Sequence, residues 1–139
     1  MSKAYTFFVP GDPRTKGSKS LMRTKNGRYV MVEASANKLK KWMNKIGDIA
    51  KGAFDEPLNG AIRLDCVFQF NKPKTVKNRD LPHVRPDLDK LLRAVNDALT
   101  GIAFKDDGQV TTIISMKAYT QGQCGCLITV RHDELSIIQ

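Results

Sequence analysis

Acids are scarce in this chain: 14 Asp and Glu stand against 23 Lys and Arg, a formal charge of +9. Such a balance points to a polyanionic partner, either nucleic acid or an anionic membrane. No helical stretch joins a basic face to a broad aromatic face, so nucleic acid is favoured. Cysteine is scarce too. The odd set Cys66, Cys124 and Cys126 argues against a disulfide framework. Cys124-Gly125-Cys126 with His132 is a poor zinc site. Its cysteines are too closely spaced, and His83 would have to come from a distant loop. Reduced thiols at a strand start are the better reading. No apolar run approaches the ~20 residues that cross a bilayer, and the apolar stretch within residues 1–10 is too short for a signal peptide. The expectation is a soluble, cytoplasmic protein with no membrane partner. Repeats and low-complexity segments are absent. The 41% hydrophobic content predicts a real core, and the length predicts one domain over residues 1–139.

Residues 6–9 read as a short strand ended by Pro10 and Pro13. Over 10–32 the cations Arg14, Lys16, Lys19, Arg23, Lys25 and Arg28 far outnumber acids. Asn26-Gly27 between two short runs is a two-residue hairpin signal, so this segment reads as a basic hairpin or a loop that orders as one. The alternatives are a solvated flap and a DNA contact. Residues 35–53 form a helix with Ser35 as a plausible N-cap. Leu39, Trp42, Met43, Ile46, Ile49, Ala50 and Ala53 share its buried stripe. Its lysines are a solvated face or phosphate contacts. Ile62, Leu64, Cys66, Phe68 and Phe70 alternate as a strand. Residues 71–85 have no period and carry Lys72, Lys74, Lys77, Arg79 and Arg85, a basic loop of the length that is usually functional or disordered. Residues 87–100 form a second helix on Leu88, Leu91, Leu92, Val95, Ala98 and Leu99, with Gly101 just past its end. Residues 110–120 and 126–132 read as strands. The order predicts a two-layer α/β (α+β) sandwich, with two amphipathic helices on one face of a mixed sheet.

The acids that do occur are grouped. Asp87 and Asp89 open the second helix behind Pro86, and Asp106 and Asp107 follow its end. The first pair could be helix-terminal acids favoured by unsatisfied amides and the macrodipole, and the second a solvated Asp-Asp-Gly turn. Alternatively the four carboxylates converge on a cation. Convergence requires that 104–110 run back along the helix, or that the sheet bring the pairs together. Asp89, Arg93 and Asp97 stand four residues apart on one polar edge. They form either an ion-pair ladder or a place where Arg93 meets phosphate charge.

The run Arg85-Pro86-Asp87-x-Asp89-x-Leu91, then Asp97-Ala98-Leu99 and Asp106-Asp107-x-Gln109-Val110, resembles the RusA-type Holliday junction resolvases. The likeness is strongest over 85–110 and extends loosely to the Pro- and Lys/Arg-rich stretch at 10–19. It implies a homodimeric, magnesium-dependent endonuclease acting on four-way DNA junctions, with manganese as a substitute ion and no small-molecule cofactor. It implies metal-binding acids at Asp87, Asp89 and Asp107, with Asp106 as neighbour. The family's catalytic lysine falls on Arg93, which keeps the charge and reach to phosphate but cannot release a proton near neutral pH. Lys90 stands where the family usually has Asn. DNA contacts are expected from Arg14, Lys16, Lys19, Arg23, Lys25, Arg28, Lys72, Lys74, Lys77, Arg79, Arg85 and Lys90. The competing readings are a non-catalytic nucleic-acid-binding module and a broader branched-DNA nuclease.

Overall fold

The computed structural model describes residues 3–33 and 35–134. Six strands and two helices follow one another as β1 (Tyr5–Pro10), β2 (Lys19–Arg23), β3 (Tyr29–Glu33), α1 (Ala36–Ala53), β4 (Ile62–Asn71), α2 (Leu88–Leu99), β5 (Val110–Thr120) and β6 (Gly125–His132). A three-residue 3-10 turn, Asp107–Gln109, precedes β5. The main sheet has the order β1-β6-β4-β5 and is mixed. β4 pairs antiparallel with β6 and parallel with β5, and β1 pairs antiparallel with β6. Both helices lie on one face, as the two-layer pattern predicts.

Alternation in β4 makes that layer. Ile62, Leu64, Cys66 and Phe68 are fully buried and face the helices. Leu39, Trp42, Ile46 and Ala50 of α1 meet them, with Leu91, Ala94, Val95 and Leu99 of α2. Each such Leu or Ile contributes roughly 1.5–3 kcal/mol by leaving water. Trp42 is therefore core and not a base-stacking platform. Among the described residues the opposite sheet face carries no helix, and Ile114, Met116 and Leu127 there are exposed.

Strand direction gives the molecule two ends. β4 and β5 run from a lower to an upper end, and α2 runs back down. Lys117 near the top of β5 donates to the carbonyls of Val84 and Pro86 at 2.7 and 2.8 Å. The bottom of α2 closes through Gly101 N–H on Phe104 O at 2.7 Å, with Phe104 bridging to Leu58 just ahead of β4.

Several local expectations are corrected. The hairpin β2–β3 forms a sheet of its own, and its turn is three residues long. Thr24 N–H meets Arg28 O at 2.7 Å and Gly27 N–H meets Thr24 O at 3.0 Å, with Gly27 at φ 77°. That left-handed glycine closing a tight turn is the bulged alternative to the two-residue type. Both hairpin strands expose large apolar side chains, Leu21, Met22, Tyr29, Val30 and Met31. Ser35 occupies the N-cap position of α1 but makes no side-chain cap bond. The cysteines hold no metal geometry. Cys126 and His132 stand near opposite ends of β6, ~20 Å apart at strand rise, and burial pushes the Cys126 thiol up, with Cys66 beside it.

Candidate active site

Helix α2 places the first acids. Asp87 takes its N-cap position with extended backbone (φ −74°, ψ 133°), so Pro86 stands one residue outside the helix and not in its first turn. The Asp87 carboxylate makes no cap bond. Capping therefore does not account for this side chain, although an N-cap Asp normally accepts an amide there. Asp87 and Asp89 are exposed. Lys90 Nζ lies 3.7 Å from Asp87 Oδ2, and both side chains line an open cleft of about 600 Å³ with Thr15, Ser18, Lys19, Arg85 and Pro86. The positive helix terminus and these cations favour anions at this spot.

The segment before the hairpin is bound to the same helix. Lys16 N–H donates to Lys90 O at 3.0 Å, and the Lys16 ammonium is ion-paired with Asp97. Gly17, at φ 96°, passes so close to Arg93 that a Cβ there would overlap its guanidinium. The proposed ladder along α2 is thus replaced. Asp97 takes its cation from Lys16, and neither Asp89 nor Arg93 enters an ion pair among the described residues. Chain crossing outcompetes the four-residue spacing because Lys16 arrives from outside the helix. Arg14 is likewise committed, at 2.8 Å from Asp12.

The second acids lie elsewhere. Asp106 caps the 3-10 turn, with Oδ1 accepting Gly108 N–H at 2.9 Å. Gln109 Oε1 accepts the amides of Lys105 and Asp106 at 2.9 and 3.0 Å, and its Nε2 donates to Leu58 O and Gly60 O, both at 3.0 Å. This one side chain fixes the turn to the foot of β4, a role that reading Gln109 as a motif letter missed. The capping box, Asp106 with Gln109 three residues on, was the signal that could have found it. The Gly108 amide holds the Asp106 carboxyl below its usual range, with Asp107 adding to the shift.

The two acid pairs therefore occupy opposite ends of α2, whose twelve residues span ~18 Å. The element that returns to the helix start is β5, whose seven steps from Val110 to Lys117 span ~23 Å, and the acids precede it. Among the described residues no group of three His, Cys, Asp or Glu could hold a metal ion. A single protomer does not fit the four-carboxylate site.

The basic segments, by contrast, converge on the upper end. Lys19, Arg85 and Lys90 share the cleft at Asp87. The 72–86 loop is held there by Lys117 and by Arg79, whose Nε donates to the Tyr119 hydroxyl at 2.7 Å. Lys72 and Arg79 also lie over the Tyr119 ring, at 5.7 and 5.9 Å from its centroid. Lys25 and Arg28 sit on the exposed hairpin turn.

No helix among the described residues is long and apolar enough to cross a membrane. Comparison with curated proteins returns no match. The sequence profile described as endodeoxyribonuclease RusA matches residues 10–131, which spans the hairpin, both helices and all four strands of the main sheet in whole or part. On that match, with the acid-bearing motifs standing where the fold exposes them, the chain belongs to the RusA family of Holliday-junction-resolving endodeoxyribonucleases.

Proposed function

We propose that residues 1–139 act as one nuclease domain that cuts four-way DNA junctions by paired symmetric nicks. The enzyme works as a homodimer and uses magnesium, with manganese able to substitute. It serves recombination, repair or phage DNA processing in a bacterial cytoplasm. The observation that carries this reading is the gathering of three basic segments around Asp87 and Asp89 at one end of the molecule. Exposed carboxylates amid cations suit a hard ion shared with a phosphate, since magnesium takes oxygen ligands and keeps waters.

In this reading Asp87, Asp89 and Asp107 hold the ion, with Asp106 as neighbour. One protomer supplies only the Asp87–Asp89 half. Arg93 and Lys90 orient the phosphate as permanent charges. Lys19, Arg23, Lys25, Arg28, Lys72, Lys74, Lys77, Arg79 and Arg85 line the DNA path. Arg14 and Lys16 support it from their ion pairs with Asp12 and Asp97.

The test compares cleavage of a junction, a replication fork and linear duplex, using wild type and Asp87→Asn with Asp107→Asn. The expected result is junction cleavage by wild type alone, with binding kept by the variant. Wild-type cleavage by the double variant would overturn the assignment of Asp87 and Asp107 to the metal site, and no cleavage by wild type itself would identify a non-catalytic nucleic-acid-binding module. Equal cutting of fork and junction would identify a broader nuclease.

A further inference from the structure

The hairpin β2–β3 shows water what a soluble protein normally hides. Its strands pair only with each other, apart from the main sheet. Leu21, Tyr29 and Met31 are 63%, 62% and 61% exposed. Exposed apolar side chains scattered singly are ordinary, but contiguous ones mark a contact surface. Here they are contiguous. Leu21 stands opposite Met31, and Arg23 opposite Tyr29. Opposed and alternate residues of a ribbon lie on the same side, so these four share one face. Met22 lies on the other face and lines a groove with Ala36 and Lys38 at the start of α1.

The same ribbon is cationic. It carries Lys19, Arg23, Lys25 and Arg28, and no acid occurs from Lys19 to Val32. Its occupant must be anionic at the rim and flat and apolar at the centre. A second copy of the chain, at +9, brings like charge to like charge. Intact duplex offers phosphates, but stacking covers its base faces. Nucleobases whose stacking is broken meet both demands. Apolar and aromatic side chains take the base face, and cations take the backbone.

The root of the ribbon is at the cleft. Lys16 N–H donates to Lys90 O at 3.0 Å, and Lys19 lines the cleft with Asp87. At ~3.4 Å per residue, Leu21 stands ~7 Å and Arg23 ~14 Å along the strand from Lys19. A DNA strand also advances ~3.4 Å per base, so the apolar pairs lie about two to four bases from a phosphate held at Asp87. We propose that the face formed by Leu21, Tyr29 and Met31 is a wedge that takes unstacked nucleobases at a DNA branch point. This face, separate from the acids, sets the preference for branched over linear DNA. Placing the branch point beside Asp87 rests on the nuclease reading above; the stacking on the hairpin does not.

The test places a fluorescent purine analogue, brighter when unstacked, beside the branch point of a four-way junction or inside a linear duplex. A chelator keeps the DNA uncut. Wild type should raise the signal on the junction and not on the duplex. Leu21→Ser with Tyr29→Ser and Met31→Ser should leave the signal flat. It should bind the junction at least about fivefold more weakly, the loss of one base stack. Its affinity for linear duplex and its melting temperature should match wild type, because the three side chains lie outside the core. Should the triple variant melt early, Tyr29→Ala against Tyr29→Phe decides on the same two readouts, with only the phenylalanine keeping the wild-type response. Wild-type junction binding by the variant overturns the proposal, as does an equal loss on junction and duplex. A change in sedimenting mass would make the face a contact between copies, and lost binding to phosphatidylserine vesicles would make it a membrane contact; either overturns it. If wild type cuts no junction in magnesium while the signal and affinity differences hold, the wedge stands and the nuclease reading fails.

Discussion

Asp87 and Asp106 occupy the same formal position, the residue capping a turn of helix, and behave differently. At α2 the Asp87 carboxylate binds no amide and stays exposed beside Lys90. At the 3-10 turn the Asp106 carboxylate accepts the Gly108 amide, and Gln109 completes a reciprocal box. One acid holds the chain and the other makes no cap bond. The contrast teaches that an acidic pair in a motif is not one kind of object. At 106–107 the first residue builds the turn that presents the second.

The sharpest break in that comparison is Asp87→Asn. Losing even an outer partner of a metal ligand costs about 10–100-fold, so cleavage should fall by at least ~100-fold. Thermal stability should stay within experimental scatter, because this carboxylate caps nothing. A stability loss measured by calorimetry would show that Asp87 is structural after all. Gln109→Ala should do the reverse to the fold. It removes the partner of two amides and two carbonyls, most of them exposed, and a net hydrogen bond is worth about 0.5–1.5 kcal/mol. Urea titration should register a loss of that order, with cleavage falling because Asp107 is no longer presented.

The basic residues divide in the same way, into committed and available. Binding to duplex arms should weaken with salt, with a slope of about 0.9 in log affinity per phosphate neutralised. Lys25→Ala with Arg28→Ala should flatten that slope by up to about twice this amount. Lys16→Ala should leave it unchanged, because that ammonium is held by Asp97. Fluorescence anisotropy across a salt series separates the two.

The smallest expected effect is at Asp106. Its folded pKa is lowered by the Gly108 amide and by Asp107. Its stabilisation is therefore complete above the ordinary carboxylate range and is lost as pH falls through the lowered folded value. The melting-temperature gap between wild type and Asp106→Ala should be widest near neutral pH and shrink as pH falls below the ordinary carboxylate range. A gap independent of pH would remove ionisation from the cap.

Much of the fold was legible because its signals are local. The stripes of α1 and α2 repeat every three or four residues, the alternation of β4 is regular, and β5 begins and ends as its sequence pattern indicates. The acid motif was equally plain. The positions of its halves were not, because they depend on which way α2 descends and on β5 pairing parallel to β4. Those are long-range choices with no local signature. The same holds for Lys16, where nothing local signals the chain crossing that delivers its ammonium to Asp97. The exposed apolar side chains of the hairpin were visible as letters, but only its separation from the main sheet makes them available.

Lys117 joins two regions that the chain keeps 31 residues apart in its bond to Pro86. Its backbone belongs to the outermost strand, while its ammonium clasps the carbonyls just ahead of Asp87. Anything that shifts that strand sideways must drag the entrance of α2 with it. The outer edge of the sheet and the start of the helix that carries Asp87 and Asp89 are thereby mechanically tethered, and shortening the tether's arm to alanine would let each move without the other.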